Sequence, residues 1–132
     1  MTILASILAD KRAEIAARKA STPEAALRAA AAARPRPPGF TAGLRSRTVG
    51  LIAEVKRRSP SAGAIREPFD PVAIATAYET AGAQAVSVLM DGKYFGGGEE
   101  DFRAVRGAVG LPMLYKEFVV DPWQIAHAAS LG

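Results

Sequence analysis

The sequence predicts an α/β fold in which three consecutive strand–helix units form a parallel sheet, the opening part of a (β/α)8 barrel, behind an N-terminal helical extension. Three observations carry that expectation. Short apolar runs at 49–55, 85–90 and 112–118 alternate with segments of helical periodicity. Asp70-Pro71 and Asp121-Pro122 each join a capping carboxylate to a proline whose fixed φ suits the first helical position. Gly82, Gly110 and Gly132 each follow a helical segment, as a helix-ending residue without Cβ should.

The elements follow in order. Residues 3–19 predict an amphipathic helix, because Ile3, Leu4, Ile7, Leu8 and Ile15 recur at near-helical spacing with charges between them. Ser21-Thr22-Pro23-Glu24 has the form of a capping box, and the alanine run through Ala33 propagates a second helix. Pro35, Pro37, Pro38 and Gly39 end it, since proline lacks the amide a helix interior needs. A short helical turn is expected over 40–47. The three βα units then follow: strand 49–55 with a helix from Pro71 to about Ala81, strand 85–90 with helix 99–109, and strand 112–118 with a helix from Pro122 to the end. The domain reading is an extension with a proline-rich linker at 1–48 and three incomplete-barrel units at 49–132. A three-stranded parallel sheet with helices on one side leaves an open edge and an uncovered face. The sequence is therefore expected to be the first part of a longer chain, with closure into a barrel as its completion. A doubly wound sheet is the structural alternative, but the loop after the first strand lacks a G-x-G-x-x-G turn.

Composition narrows the function classes. The chain has 132 residues, 49% hydrophobic and 23% charged, ordinary for a globular domain. No window approaches the roughly 18 uninterrupted apolar residues of a membrane helix, and Asp10, Lys11, Arg12 and Glu14 interrupt any signal-peptide core. The cytoplasm is the default compartment. With no cysteine and only His127, disulfides and metal sites are not expected. The formal charge of +4 favours anionic partners, although an alanine- and arginine-rich composition accounts for much of it. Lys11, Arg12, Arg18, Lys19, Arg57 and Arg58 carry no interleaved aromatics and form no nucleic-acid-binding motif, so neither nucleic acid nor membrane is an expected partner.

In a barrel the reacting groups lie at the C-terminal ends of strands and in the loops that follow. At the first strand end, Ile52, Glu54 and Lys56 share a face by the period of two. At the third, Leu114, Lys116 and Phe118 share one face, Tyr115 and Glu117 the other. A lysine in an apolar strand is costly unless paired or solvated, so each is either an ion-paired or snorkelling strand end or a cationic acid. The loop 57–63, basic and bearing Ser59, Pro60 and Ser61, suits a mobile lid or a contact to an anionic substrate. The glycine-rich loop 91–98 allows close approach or hinging and offers Phe95 as an aromatic surface.

Three segments resemble the indole-3-glycerol phosphate synthases: IAEVKRRSPSAG at 52–63, YETAGAQAVSVLMDGKYFGGG at 78–98 and LPMLYKEFVVDPWQIAHAASLG at 111–132. The resemblance implies a TIM-barrel carboxy-lyase of tryptophan biosynthesis, working without metal or organic cofactor on a small phosphorylated substrate. In the family's reaction, 1-(2-carboxyphenylamino)-1-deoxyribulose 5-phosphate gives indole-3-glycerol phosphate, carbon dioxide and water. The lysine matching Lys116 is the general acid, and Glu54 and Lys56 match residues at the same mouth. Ser59 and Pro60 match the mobile first loop, while Phe95 and Phe118 match aromatic residues on the anthranilate ring. The leading helices resemble the family's N-terminal extension. A second catalytic carboxylate and the phosphate-holding loops belong to later strands, so this chain is expected to be inactive alone. Ala62 replaces a lysine that often follows S-P-S, and Tyr115 a smaller or basic residue on the face away from the pocket. The alternatives are a catalytically silent half-barrel that associates through its open sheet edge, and a barrel like phosphoribosylanthranilate isomerase. The isomerase uses a cysteine–aspartate pair, and no cysteine is present.

Overall fold

The computed structural model describes residues 1–132. Contacts divide the chain into two compact units, Met1–Arg36 with Phe118–Gly132, and Pro37–Glu117. This division cuts the sequence elsewhere than the expected 1–48 and 49–132, because the last helix packs with the first two.

The first unit holds α1 (Ile3–Ser21), α2 (Glu24–Ala32) and a last helix, Pro122–Leu131, numbered α7 below. Thr2 caps α1 by accepting from the Ala5 amide. The buried stripe of α1 is Ile7, Lys11 and Ile15, whereas Ile3 and Leu4 are exposed. The Lys11 stem is buried and its ammonium reaches Glu14 Oε2 at 2.7 Å. The expected capping box at α2 does not form. Ser21 is drawn into the end of α1, where its hydroxyl donates to the Arg18 carbonyl, so Pro23 occupies the cap position with no side chain to offer. Glu24 instead pairs with Arg28 one turn on. Ile15, Leu27, Trp123 and Ala126 form the core of this unit, with Val120 against it. Trp123 donates its indole N–H to the Thr22 carbonyl at 2.8 Å and stacks on His127. Arg18 lies over the Trp123 ring and donates to His127 Nε2 at 3.1 Å.

The second unit holds α3 (Phe40–Arg45), β1 (Ile52–Val55), a two-residue antiparallel ladder of β2 (Arg58–Ser59) and β3 (Gly63–Ala64), α4 (Pro71–Thr80), β4 (Ala85–Leu89), α5 (Gly92–Phe95), α6 (Glu99–Ala108) and β5 (Met113–Lys116). β1, β4 and β5 form a parallel sheet with β4 central. Asp70 caps α4 through the amides of Val72 and Ala73, the role its position before Pro71 predicts. The strands are shorter than their apolar runs. β1 starts at Ile52 because its one neighbour, β4, begins at Ala85; Val49 and Leu51 have no ladder partner and are exposed. β5 ends at Lys116, opposite Leu89, the last residue of β4. Ala53, Val55, Val86 and Val88 are buried on the face toward α4 and α6, where Tyr115 meets Phe102 edge-on at 6.1 Å.

Candidate active site

The opposite face of the sheet carries the candidate chemistry. Register places Glu54, Ser87 and Leu114 in one row, and Leu89 with Lys116 in the next. Counting on by two brings Lys56 level with that second row, one residue past the end of β1. The C-terminal ends of β1 and β5 thus present Glu54, Lys56 and Lys116 toward one side. Two strand spacings, about 10 Å, separate the outer pair of strands.

Glu54 is fixed from three directions. The Tyr78 hydroxyl, on α4, donates to its backbone carbonyl at 2.8 Å, which ties the strand end to the helix layer. The Ser87 hydroxyl donates to its Oε1 at 3.1 Å, and the Lys56 ammonium pairs with its Oε2 at 3.2 Å. Sequence parity finds Glu54 and Lys56 together, and the structure brings them together. Parity within one strand carries no information on register across strands, so it misses Ser87. Lys116 differs: it is exposed and makes no ion pair. A solvated, uncompensated ammonium at a strand end is available to an anion or to a developing oxyanion. Phe118 departs from the expected pattern. The strand has ended two residues earlier, so the period of two does not extend to it. Its carbonyl accepts from Gln124 Nε2 at 2.9 Å, within the first unit.

The loop after β1 is tied down through its basic residues. Arg57 donates from Nη2 to both carboxylate oxygens of Asp101 at 3.1 Å and from Nε to the Gly96 carbonyl, with Phe69 beneath the guanidinium. Arg58 donates to the carbonyls of Gly92 and Lys93. Both guanidinium groups therefore bind this chain's own oxygens. Ser59 and Pro60 lie at the hairpin tip, where the Ser59 hydroxyl accepts from the Ala62 amide at 3.1 Å. The glycine-rich stretch is ordered as well. Asp91, buried, accepts from the Tyr94 amide and caps α5. Gly96 takes a left-handed φ of 67°, and a Cβ on Gly97 would collide with the Leu89 carbonyl. Phe95 ends this turn, half-buried.

No cluster of three or more histidine, aspartate or glutamate residues could hold a metal ion, and no helix is long and apolar enough to cross a membrane. An open groove of about 500 Å³ in the first unit is lined by Arg12, Ile15, Ala16, Lys19, Val120 and Asp121 and contains none of the candidate catalytic or substrate-binding residues.

Comparison with known proteins adds a relationship to this geometry. The family model described as indole-3-glycerol phosphate synthase matches residues 4–132. Proteins named indole-3-glycerol phosphate synthase from Mycobacterium ulcerans and Mycobacterium tuberculosis are 49% and 48% identical to this chain over 131 residues. One of the same name from Mycobacteroides abscessus is 47% identical. Each alignment covers 99% of this chain and 48% of the relative, so the chain spans about half the length of the curated relatives it matches.

Proposed function

The chain belongs to the indole-3-glycerol phosphate synthase family, and from that premise we propose that it supplies the acid side of a site that closes an indole ring with loss of carbon dioxide. The sheet is then the first three strands of a TIM barrel; the parallel order β1-β4-β5 and a helix layer on one face support this reading. The substrate is 1-(2-carboxyphenylamino)-1-deoxyribulose 5-phosphate. The aromatic carbon bearing the carboxylate attacks the ribulose carbonyl carbon, forming the new ring bond while the carbonyl oxygen takes a proton from Lys116. Carbon dioxide then leaves, its bonding electrons returning to the ring. The new hydroxyl takes up a proton and departs as water while the neighbouring ring carbon beside the nitrogen loses a proton to a base. An acid–base pair beyond Lys116 thus completes the formation of indole-3-glycerol phosphate. A cation held about 3 Å from the developing oxyanion lowers the barrier most where water is excluded. Lys56, steadied by Glu54, meets an anionic group of the substrate and orients it. Ser59 and Pro60 border the site from the hairpin tip, and Phe95 offers a face to the anthranilate ring. The observation that carries this reading is the placing of Glu54, Lys56 and Lys116 at strand ends on one sheet face. We place the protein in the cytoplasm.

The test is turnover followed by indole fluorescence. The 132-residue chain forms no product by itself; product from the purified chain would refute its dependence on further segments. Joined to the C-terminal half of the Mycobacterium tuberculosis relative, it forms indole-3-glycerol phosphate. There Lys116→Ala lowers kcat by about 100-fold or more, the usual weight of a general acid, and changes KM far less. Unchanged kcat would remove Lys116 from the mechanism.

A second reading concerns the chain by itself. The outer sides of β1 and β5 have no ladder partner, a template for pairing with another strand. We propose that the isolated chain self-associates there.

A further inference from the structure

We propose that Ser87 is a positioning residue: its buried hydroxyl holds one oxygen of Glu54 so that the other meets Lys56. Its role in ring closure rests on the function proposed above, but the geometry that carries it does not. β4 is buried at all five positions, and four of them are alanine, valine or leucine. Ser87, 1% exposed, is the exception. A buried hydroxyl is unfavourable without a partner, and in a strand interior serine packs no better than alanine. The polar atom has its explanation across the ladder. Ser87 is the register partner of Glu54, and its hydroxyl donates to Oε1 at 3.1 Å while Lys56 takes Oε2 at 3.2 Å.

A carboxylate with a separate donor on each oxygen has the rotation of its plane fixed, a torsion that is otherwise broad. The backbone of Glu54 is already held by the Tyr78 hydroxyl. Side-chain rotation is the freedom that remains, and Ser87 removes it from a rigid central strand. Without the hydroxyl, the carboxylate keeps only Lys56, whose four-carbon stem starts beyond the end of β1 and follows rather than directs it. Ser87 touches neither reacting atoms nor substrate in this arrangement. It sets where the Lys56 ammonium stands by acting through Glu54.

The experiment reads the ion pair in the full chain without relying on turnover. Lysines are acetylated with an N-hydroxysuccinimide ester and quantified by peptide mass spectrometry, with the exposed Lys116 as internal reference. Glu54→Gln, which abolishes the pair, defines the labelling of a released Lys56. Ser87→Ala is expected to raise Lys56 labelling relative to Lys116 by about 2–5-fold, the weight of a half-exposed ion pair. Ser87→Thr, which returns the hydroxyl, brings it back toward the original rate. In a Glu54→Gln background Ser87→Ala adds nothing. Circular dichroism melting confirms that each variant is folded, and Ser87→Cys, similar in volume with a weaker donor, gives an intermediate rate. The proposal is overturned if Ser87→Ala leaves Lys56 labelling unchanged, if Glu54→Gln does, or if threonine fails to restore it. Turnover in the completed protein is read separately. Absence of any product there would sink the ring-closing function, and labelling would still decide the role of Ser87.

Discussion

Lys56 and Lys116 stand at equivalent strand ends yet in different electrostatic settings, one paired with Glu54 and one exposed without a counter-charge. Under the proposed function that difference suits one to orient and the other to donate, the same division of labour that the family resemblance implies. A second pair, on the first unit, makes a pH prediction. Lys19 donates to Asp121 Oδ2 at 2.7 Å. That hydrogen bond, with the Trp123 amide on the same carboxylate and the charge of Lys19, holds Asp121 below the ordinary carboxylate range, against a smaller opposing effect of burial. A carboxyl whose folded value is depressed stabilises the fold above its unfolded value, about pH 4, and that contribution is lost as the pH falls through the lower folded value. Lys19→Met should therefore lower the melting temperature at about pH 6 and make little difference near pH 2. An equal difference at both would show that the pair contributes nothing through charge. At this scale, the sequence revealed Glu54 and Lys56 because they lie two apart on one strand. It hid Ser87, 33 residues from Glu54 in the chain and met only across the ladder, and it misplaced Phe118 by extending a strand period past the strand's end.

Elements were most legible where a local device fixes them. Asp70 and Asp121 both cap the helices their prolines begin, and Asp121 completes a capping box with Gln124. Where the device required choosing between neighbours, as at Ser21 and Pro23, the longer α1 took the serine. Strand lengths were not legible, because a strand lasts only as long as its neighbour does. The turn α5 was missed, its four residues being too few to show periodicity and its cap, Asp91, resembling loop composition. Two glycines separate packing from propensity here. A Cβ on Gly97 would strike the Leu89 carbonyl, a backbone atom that cannot rotate away. Gly97→Ala is expected to cost about 1–3 kcal/mol in urea unfolding, in the manner of an overpacked core. Gly107, inside α6, has open space around its would-be Cβ. Gly107→Ala should stabilise the chain by up to about 1 kcal/mol through helix propensity alone. Equal effects at the two positions would contradict the contact at Leu89.

At the scale of the molecule, the α/β class and the parallel order of the strands were readable from alternating apolar and helical segments. The division into two units was not, since it depends on which helices α7 meets rather than on which strand it follows. The unpaired outer sides of β1 and β5 lead to a concentration-dependent expectation. Light scattering behind size exclusion should show the isolated chain growing in mass as its concentration rises. Ile52→Pro should reduce that growth, because the Ile52 amide lies on the outer side of β1, the Leu51 carbonyl turning inward to Ala85. A monomer at every concentration would remove the edges as an association surface. The composition of the first unit also bears on synthesis. Its two sequence segments flank 37–117, so α1 and α2 leave the ribosome well before the helix that covers Trp123's side of their core. At about 5–20 residues per second, they wait several seconds with Ile15 and Leu27 unburied while the intervening sheet can already be forming. These apolar residues therefore stay uncovered while 37–117 is made, and a chaperone acting on this stretch during translation would meet α1 and α2 before their covering helix exists.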